Sequence, residues 1–181
     1  MAATLTANEV AALSGLDESR VRKEVEHGIF ARSSFTVSDL VYFGLLRILG
    51  VQLGVDDRRK LHDVINAAMD LPRRPSRAEI SSVLEVRLDR VVSETEGRLS
   101  RFEAWKMKRV VTDDKILGGE PVFAKSRLAV RHIGGLLLKG HEAEVREDYP
   151  YLTDEDFEFA PVFTRAYPRQ GRPRERQASG R

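Results

Sequence analysis

Helix start and stop signals recur along most of this 181-residue chain. They confine it largely to short helices, which hold together in water only by packing on one another. Thr6 followed by Glu9 makes a capping box, and Gly15 is a left-handed stop about ten residues later. Asp17 is placed to cap a second helix that turns Val21 and Val25 inward and ends at Gly28, after which Ile29 can fold back on the same core. Two short helices with a Gly-containing turn form a helix-turn-helix candidate. Near the other end, Tyr149-Pro150-Tyr151 stops a helix begun near Glu142, and Thr153 starts the next with Asp154, Glu155 and Asp156 on its positive dipole end. Acids at that helix start argue against its entering DNA, so this break reads as a domain-building hairpin clasped by Tyr149, Leu152 and Phe157.

Between these ends the pattern is mixed. "ARSSFTVSDL" reads as a short extended or winged piece, with Ser38 capping a third helix that is apolar on most sides. "VDDRRKLHDVINAAMD" is amphipathic, with Leu61, Ile65 and Ala68 on one side. The prolines of "LPRRPSR" mark a linker. "SVLEVRLDRVV" alternates like a half-buried strand, and "SETEGRLSRFEAWKMKRVV" reads as a long helix with Leu99 and Phe102 inward. "TDDKILGGEPVF" is loop chemistry, and "RLAVRHI" reads as a second strand leading into "IGGLLLKG". The fold class expected is mainly α with short β-strands: an N-terminal winged helix-turn-helix plus a small helical C-terminal domain with a short strand. Four segments follow, at 1–54, 55–111 (a possible dimerisation region), 112–167 and 168–181.

Charge is unevenly spread. The chain is +2 overall, but Arg165–Arg181 holds six arginines against the single acid Glu175, so the rest is net acidic. After Tyr167 there is hardly anything to bury, and a disordered basic tail is expected. There is no cysteine, the start "MAATLTANEV" lacks the basic and apolar regions of a signal peptide, and no run approaches a membrane span. A cytoplasmic setting without membrane contact is expected. Enzyme readings find little support. His27, His62, His132 and His141 lack metal-site spacing, "GGEP" is too short for a phosphate loop, and the acid clusters read first as caps and loops. No catalytic residue, metal or cofactor is expected.

Two stretches resemble known families. The aliphatic and Gly spacing of "LTANEVAALSGLDESRVRKEVEHGIF", followed by "FTVSDLVYFGLLRIL", is similar to the MerR-type winged helix-turn-helix. The wing is shorter than usual, and Lys23-Glu24 replaces an aromatic-acidic pair. "VVTDDKILGGEPVFAKSRLAVRHIGGLLLKGHEAEVREDYPYLTDEDFEFA", residues 110–160, resembles domain of unknown function 433, on Gly119, Pro121, Arg127, Val130, Leu137, Gly140, Asp148, Tyr149, Pro150, Leu152, Thr153, Glu155 and Asp156. It departs at Lys125-Ser126, where that family has Gly-Thr, and at Pro161. A positive φ at Lys125 would strain an L-residue by roughly 1 kcal/mol or more, so a differently arranged loop is expected. Pro161 is expected to end or kink the last helix.

The resemblances imply a VapB-like type II antitoxin that binds operator DNA and blocks a PIN-like ribonuclease. With Val21 and Val25 inward, helical geometry turns Ser19, Arg22, Lys23 and His27 outward, with Arg20 beside them. These residues, with Arg32, Ser33 and Ser34 of the wing, are the candidate DNA contacts, against a near-neutral helix carrying Glu18, Glu24 and Glu26. Reading a palindromic operator calls for a homodimer. A PIN-like toxin works through clustered carboxylates, which arginine forks can occupy. Arg165, Arg169, Arg172, Arg174 and Arg176 are therefore the candidate toxin-binding residues. The same tail could instead hold DNA phosphates or stay solvated. A MerR-like regulator without a toxin partner and a non-DNA adaptor are the other readings.

Overall fold

The computed structural model describes residues 4–30, 34–49, 52–81 and 84–169. The chain is mainly α with short antiparallel strands. Helix α1 (Ala7–Ser14) begins with the expected capping box: Glu9 N–H donates to Thr6 Oγ1 at 3.2 Å, and Thr6 N–H to Glu9 Oε2 at 2.8 Å. Gly15 closes it at φ 74°. Helix α2 (Glu18–Glu26) follows, and Gly28 turns the chain at φ 68° so that Ile29 and Phe30 drop into the core. Asp17 occupies the cap position of α2 but makes no side-chain cap bond. Leu5 and Phe35 exchange both backbone hydrogen bonds, at 2.8 and 2.9 Å, fastening the start of the chain to the strand-like piece before helix α3 (Val37–Leu49). The cap of α3 is Thr36 and not Ser38. Thr36 N–H reaches Asp39 Oδ2 at 2.7 Å and Asp39 N–H returns to Thr36 Oγ1 at 3.4 Å, so the T-x-x-D spacing wins over the closer serine.

Helix α4 (Val55–Met69) buries Leu61, Ile65 and Ala68 as its period requires. After residues 71–76, strands β1 (Arg77–Ser81) and β2 (Leu84–Arg87) pair antiparallel, with Ala78 opposite Val86. The alternating stretch is a strand only to Arg87. Leu88 opens helix α5 (Leu88–Arg109), because Leu88, Val91 and Val92 are buried at helical i, i+3, i+4 spacing and the N–H groups of Leu88 and Asp89 are taken by Ser76 O. Leu99, Phe102 and Trp105 continue that stripe.

Strand β3 (Val110–Val111) leaves α5 directly and pairs with β4 (Val122–Phe123). "RLAVRHI" is not a strand. Beyond one bridge between Val122 and Ala129 it becomes helix α6 (Val130–Leu138), because Val130, Ile133 and Gly134 form a buried helical stripe. The turn before it does use a left-handed residue. Lys125 sits at φ 61°, and Ser126 offsets the strain by donating both N–H (3.1 Å) and Oγ (2.9 Å) to Phe123 O. Helix α7 (Glu142–Asp148) stops ahead of Pro150, and α8 (Asp154–Ala166) starts with a Thr153–Asp156 capping box. Pro161 lies inside α8 without ending it. One intrahelical bond is lost, but Phe159, Ala160, Val162 and Phe163 are buried on both sides of the proline and keep the helix seated.

Helix α8 packs chiefly on α6 and α1, so the last helix lies against the first. One apolar cluster runs from Leu5 to Ala166. Gly134 is the closest approach: a Cβ there would stand 2.3 Å from Ala160 O and 2.0 Å from Thr164 Oγ1. No helix among the described residues is long and apolar enough to cross a membrane.

Candidate nucleic-acid interface

Helix α2 is held by one buried stripe. Val21 is fully buried, and so is Glu24 one turn later, while Val25 is only partly covered. Burying a carboxylate without partners would cost several kcal/mol. Glu24 has three: Arg58 Nη1 of α4 at 3.0 Å, the Tyr42 hydroxyl of α3 at 3.0 Å and Arg20 Nη2 at 3.4 Å. Burial and the Glu24 carboxylate together push the Tyr42 phenol well above its ordinary pKa, so it stays a donor. The charge of Glu24 is thus spent inward, which leaves Arg22, Lys23 and Glu26 exposed on the outer face of α2 with Glu18 half-exposed beside them.

On that face Ser19, Arg22 and Lys23 are exposed, with the Arg22 side chain 68% accessible. Arg22 folds back on Glu18 through Nε (3.0 Å) and Nη2 (2.5 Å). Such an i, i+4 pair at the surface holds by only a few tenths of a kcal/mol, so a phosphate can displace it. Lys23 makes no ion pair among the described residues. Arg20 straddles the edge, half exposed and near Glu24. His27 Nδ1 lies 3.0 Å from Arg58 Nη2, which ties the end of α2 to α4. Of the wing candidates Ser34 is exposed, whereas Arg32 and Ser33 lie outside the described residues.

A second buried polar link supports the same unit. Asp39 Oδ1 accepts from His62 Nε2 at 2.9 Å, with side chains only 3% and 13% exposed. Burial raises the Asp39 carboxyl, but His62 and the Thr36 hydrogen bonds outweigh it and hold the pKa below the ordinary value. Phe30 stacks on Phe43 and meets Phe35, Tyr42 and His62 edge-on beneath α2. The elements behind the exposed face are therefore cross-bonded by buried polar and aromatic contacts.

The C-terminal arginines divide. Arg165 is half-buried and donates to Leu16 O in the α1–α2 turn. Its guanidinium is engaged inside the fold, which sets it apart from exposed Arg169. Arg169 is exposed and approaches Glu120 at 3.4 Å. Arg172, Arg174 and Arg176 lie outside the described residues. The sequence alone gave no sign that Glu24, Arg58 and Asp156 are buried and paired. Asp156 is wholly buried and gathers Thr153 N–H, Trp105 Nε1 and the Arg109 guanidinium, at 2.8, 2.9 and 2.5 Å. The capping-box spacing marked only its place at the start of α8, which the sequence reading assigned to the helix dipole alone.

Residues 110–163, from β3 into α8, match the family model described as "Protein of unknown function (DUF433)". This bears out the C-terminal resemblance at the level of that family. No curated protein and no solved structure matches the chain.

Proposed function

We propose that the chain is a DNA-binding antitoxin. In this reading α2 reads operator DNA in a homodimer, and the segment beyond Tyr167 engages a PIN-like ribonuclease partner. The observation that carries the DNA half is the outer face of α2. Ser19, Arg22 and Lys23 project from a helix whose one buried acid is neutralised from behind by Arg58 and Tyr42. A short helix that exposes Arg22 and Lys23, with Glu26 beside them, can enter a major groove with Arg and Lys taking phosphates or guanine edges. Arg20 and His27 sit at its margins, and Arg32 and Ser33 extend the expected footprint. For the dimer, region 83–111, where Met107 is 84% exposed, or the C-terminal domain is the expected contact.

For the toxin half, support comes from the DUF433 match and from the arginine-rich sequence of the tail. The candidate toxin-binding set becomes Arg169, Arg172, Arg174 and Arg176, since Arg165 is bound to Leu16. That internal use of Arg165 also favours a second reading, a regulator of the MerR-like kind in which the C-terminal half serves the fold and meets no toxin.

Two experiments separate these readings. Fluorescence anisotropy on a duplex from the chain's own promoter should give Kd values that weaken steeply with salt. Arg22→Ala and Lys23→Ala should each lower the log–log slope by about one; unchanged slopes would remove α2 from the interface. Co-expression with the product of the adjacent reading frame should rescue growth, and cutting the chain after Tyr167 should abolish rescue. Full rescue by the cut chain would place toxin contact elsewhere, and no rescue by the whole chain would leave the regulator reading.

A further inference from the structure

A cleft of about 640 Å³ opens where α1, α3, α5 and α8 meet, away from the outer face of α2. The approach of α3 to α5 defines its floor: a Cβ on Gly44 would lie 3.2 Å from Thr95 Oγ1 and 3.8 Å from Val91. Leu13, Ile48 and Val91 contribute apolar wall, and Ile48 is 54% exposed there. Arg47, Arg98 and Arg101 contribute cationic wall, from α3 and α5. The acids lining it are already engaged, Glu158 with Arg101 and Glu94 with Arg90.

Arg98 is the unusual member. Its Nε is buried without a hydrogen-bond partner, and the side chain makes no ion pair among the described residues. Burial pulls its pKa down, Glu158 opposes this, and the cations of Arg47, Arg101 and Arg165 add to the depression. A guanidinium held half-buried among like charges is a standing electrostatic cost, which an oxyanion in the cleft would relieve. An isolated surface arginine would swing into water; this one is retained beside an open volume with room for a small molecule.

We propose that this cleft binds a small organic anion, with a phosphate or carboxylate head on Arg98 and Arg47 and an apolar body against Leu13, Ile48 and Val91. The chemistry is a bidentate guanidinium–oxyanion contact backed by apolar burial. Thr95 supplies a hydroxyl on the same wall. The site is independent of operator binding, so its test does not involve DNA.

The test is calorimetric titration of the full chain with phenyl phosphate, at constant ionic strength set with sodium chloride. Saturable binding is expected, weakened at least about tenfold by Arg98→Gln and by Arg47→Gln, and unchanged in Arg22→Ala on α2. Arg47 is exposed, so its variant carries the test if Arg98→Gln fails to fold. Absence of saturable heat up to about 10 mM would overturn the proposal. So would wild-type affinity in both arginine variants, or loss of binding in Arg22→Ala, which would place the anion on the outer face of α2.

Discussion

Glu24 and Asp156 are the two buried acids on which most depends, and each looks unremarkable in sequence. Replacing Glu24 by Gln leaves Arg58 buried without its counter-charge, and loss of one partner of a buried pair costs about 3–5 kcal/mol. Urea unfolding of Glu24→Gln should show an unfolding free energy lower by that amount, and a change under about 1 kcal/mol would mean the pair is dispensable. Burial raises the Asp156 carboxyl, but its bonds to Arg109, Thr153 and Trp105 hold it below the ordinary value. A depressed carboxylate stabilises the fold above its unfolded pKa, about 3.9, and loses that contribution as pH falls through the native value. Stability should therefore be flat with respect to Asp156 above about pH 5 and fall in the acid range below about 4. Asp156→Asn should flatten that acid limb, measured by Tm against pH. Gly134 is the third sensitive residue. An added methyl meets the Ala160 backbone, which cannot rotate aside, so Gly134→Ala should lower stability by at least about 1–3 kcal/mol in the same urea assay.

At the scale of elements, the sequence was clearest where one local signal set the answer. Capping boxes and glycine stops gave α1, α2 and the start of α8, and the apolar period gave α4. It was misleading where two periods competed over a short run. "LEVRLDRVV" alternates as a strand to Arg87, yet Leu88, Val91 and Val92 also fit a helix, and packing on the neighbouring helices decides the matter. "RLAVRHI" failed for the same reason, since Val130, Ile133 and Gly134 are needed against α8. Proline and positive-φ rules argued against a helix through Pro161 and a left-handed Lys125, but could not see the contacts that hold both in place. The exposure of Ser19, Arg22 and Lys23 was legible from helical spacing, whereas the burial of Glu24 was not, because its partner Arg58 lies 34 residues away. The hairpin clasp can be tested as an element. Thr153→Ala removes the first-turn cap of α8 and should cost about 1 kcal/mol, whereas Ser38→Ala should cost almost nothing because Thr36 is the cap of α3.

As a whole molecule, the chain is tied end to start. The α8 helix lies on α1, Arg165 holds the turn before α2, and the Tyr167 hydroxyl donates to Glu9 Oε1 at 2.5 Å while accepting from Lys106 at 3.0 Å. Burial and Glu9 push the Tyr167 phenol up to about 12, so it remains a donor across the ordinary pH range. With one apolar cluster common to both halves, unfolding should be a single cooperative event. Near-ultraviolet dichroism, dominated by Trp105, and far-ultraviolet dichroism should then share one midpoint, and two separated transitions would show independent halves. Glu9 has a double duty with a mechanical meaning: one carboxylate oxygen starts the first helix and the other tethers the last. Tension applied at Tyr167 is delivered through that tether to the opening turn of α1, so a pull on the last helix is felt at the root of the first.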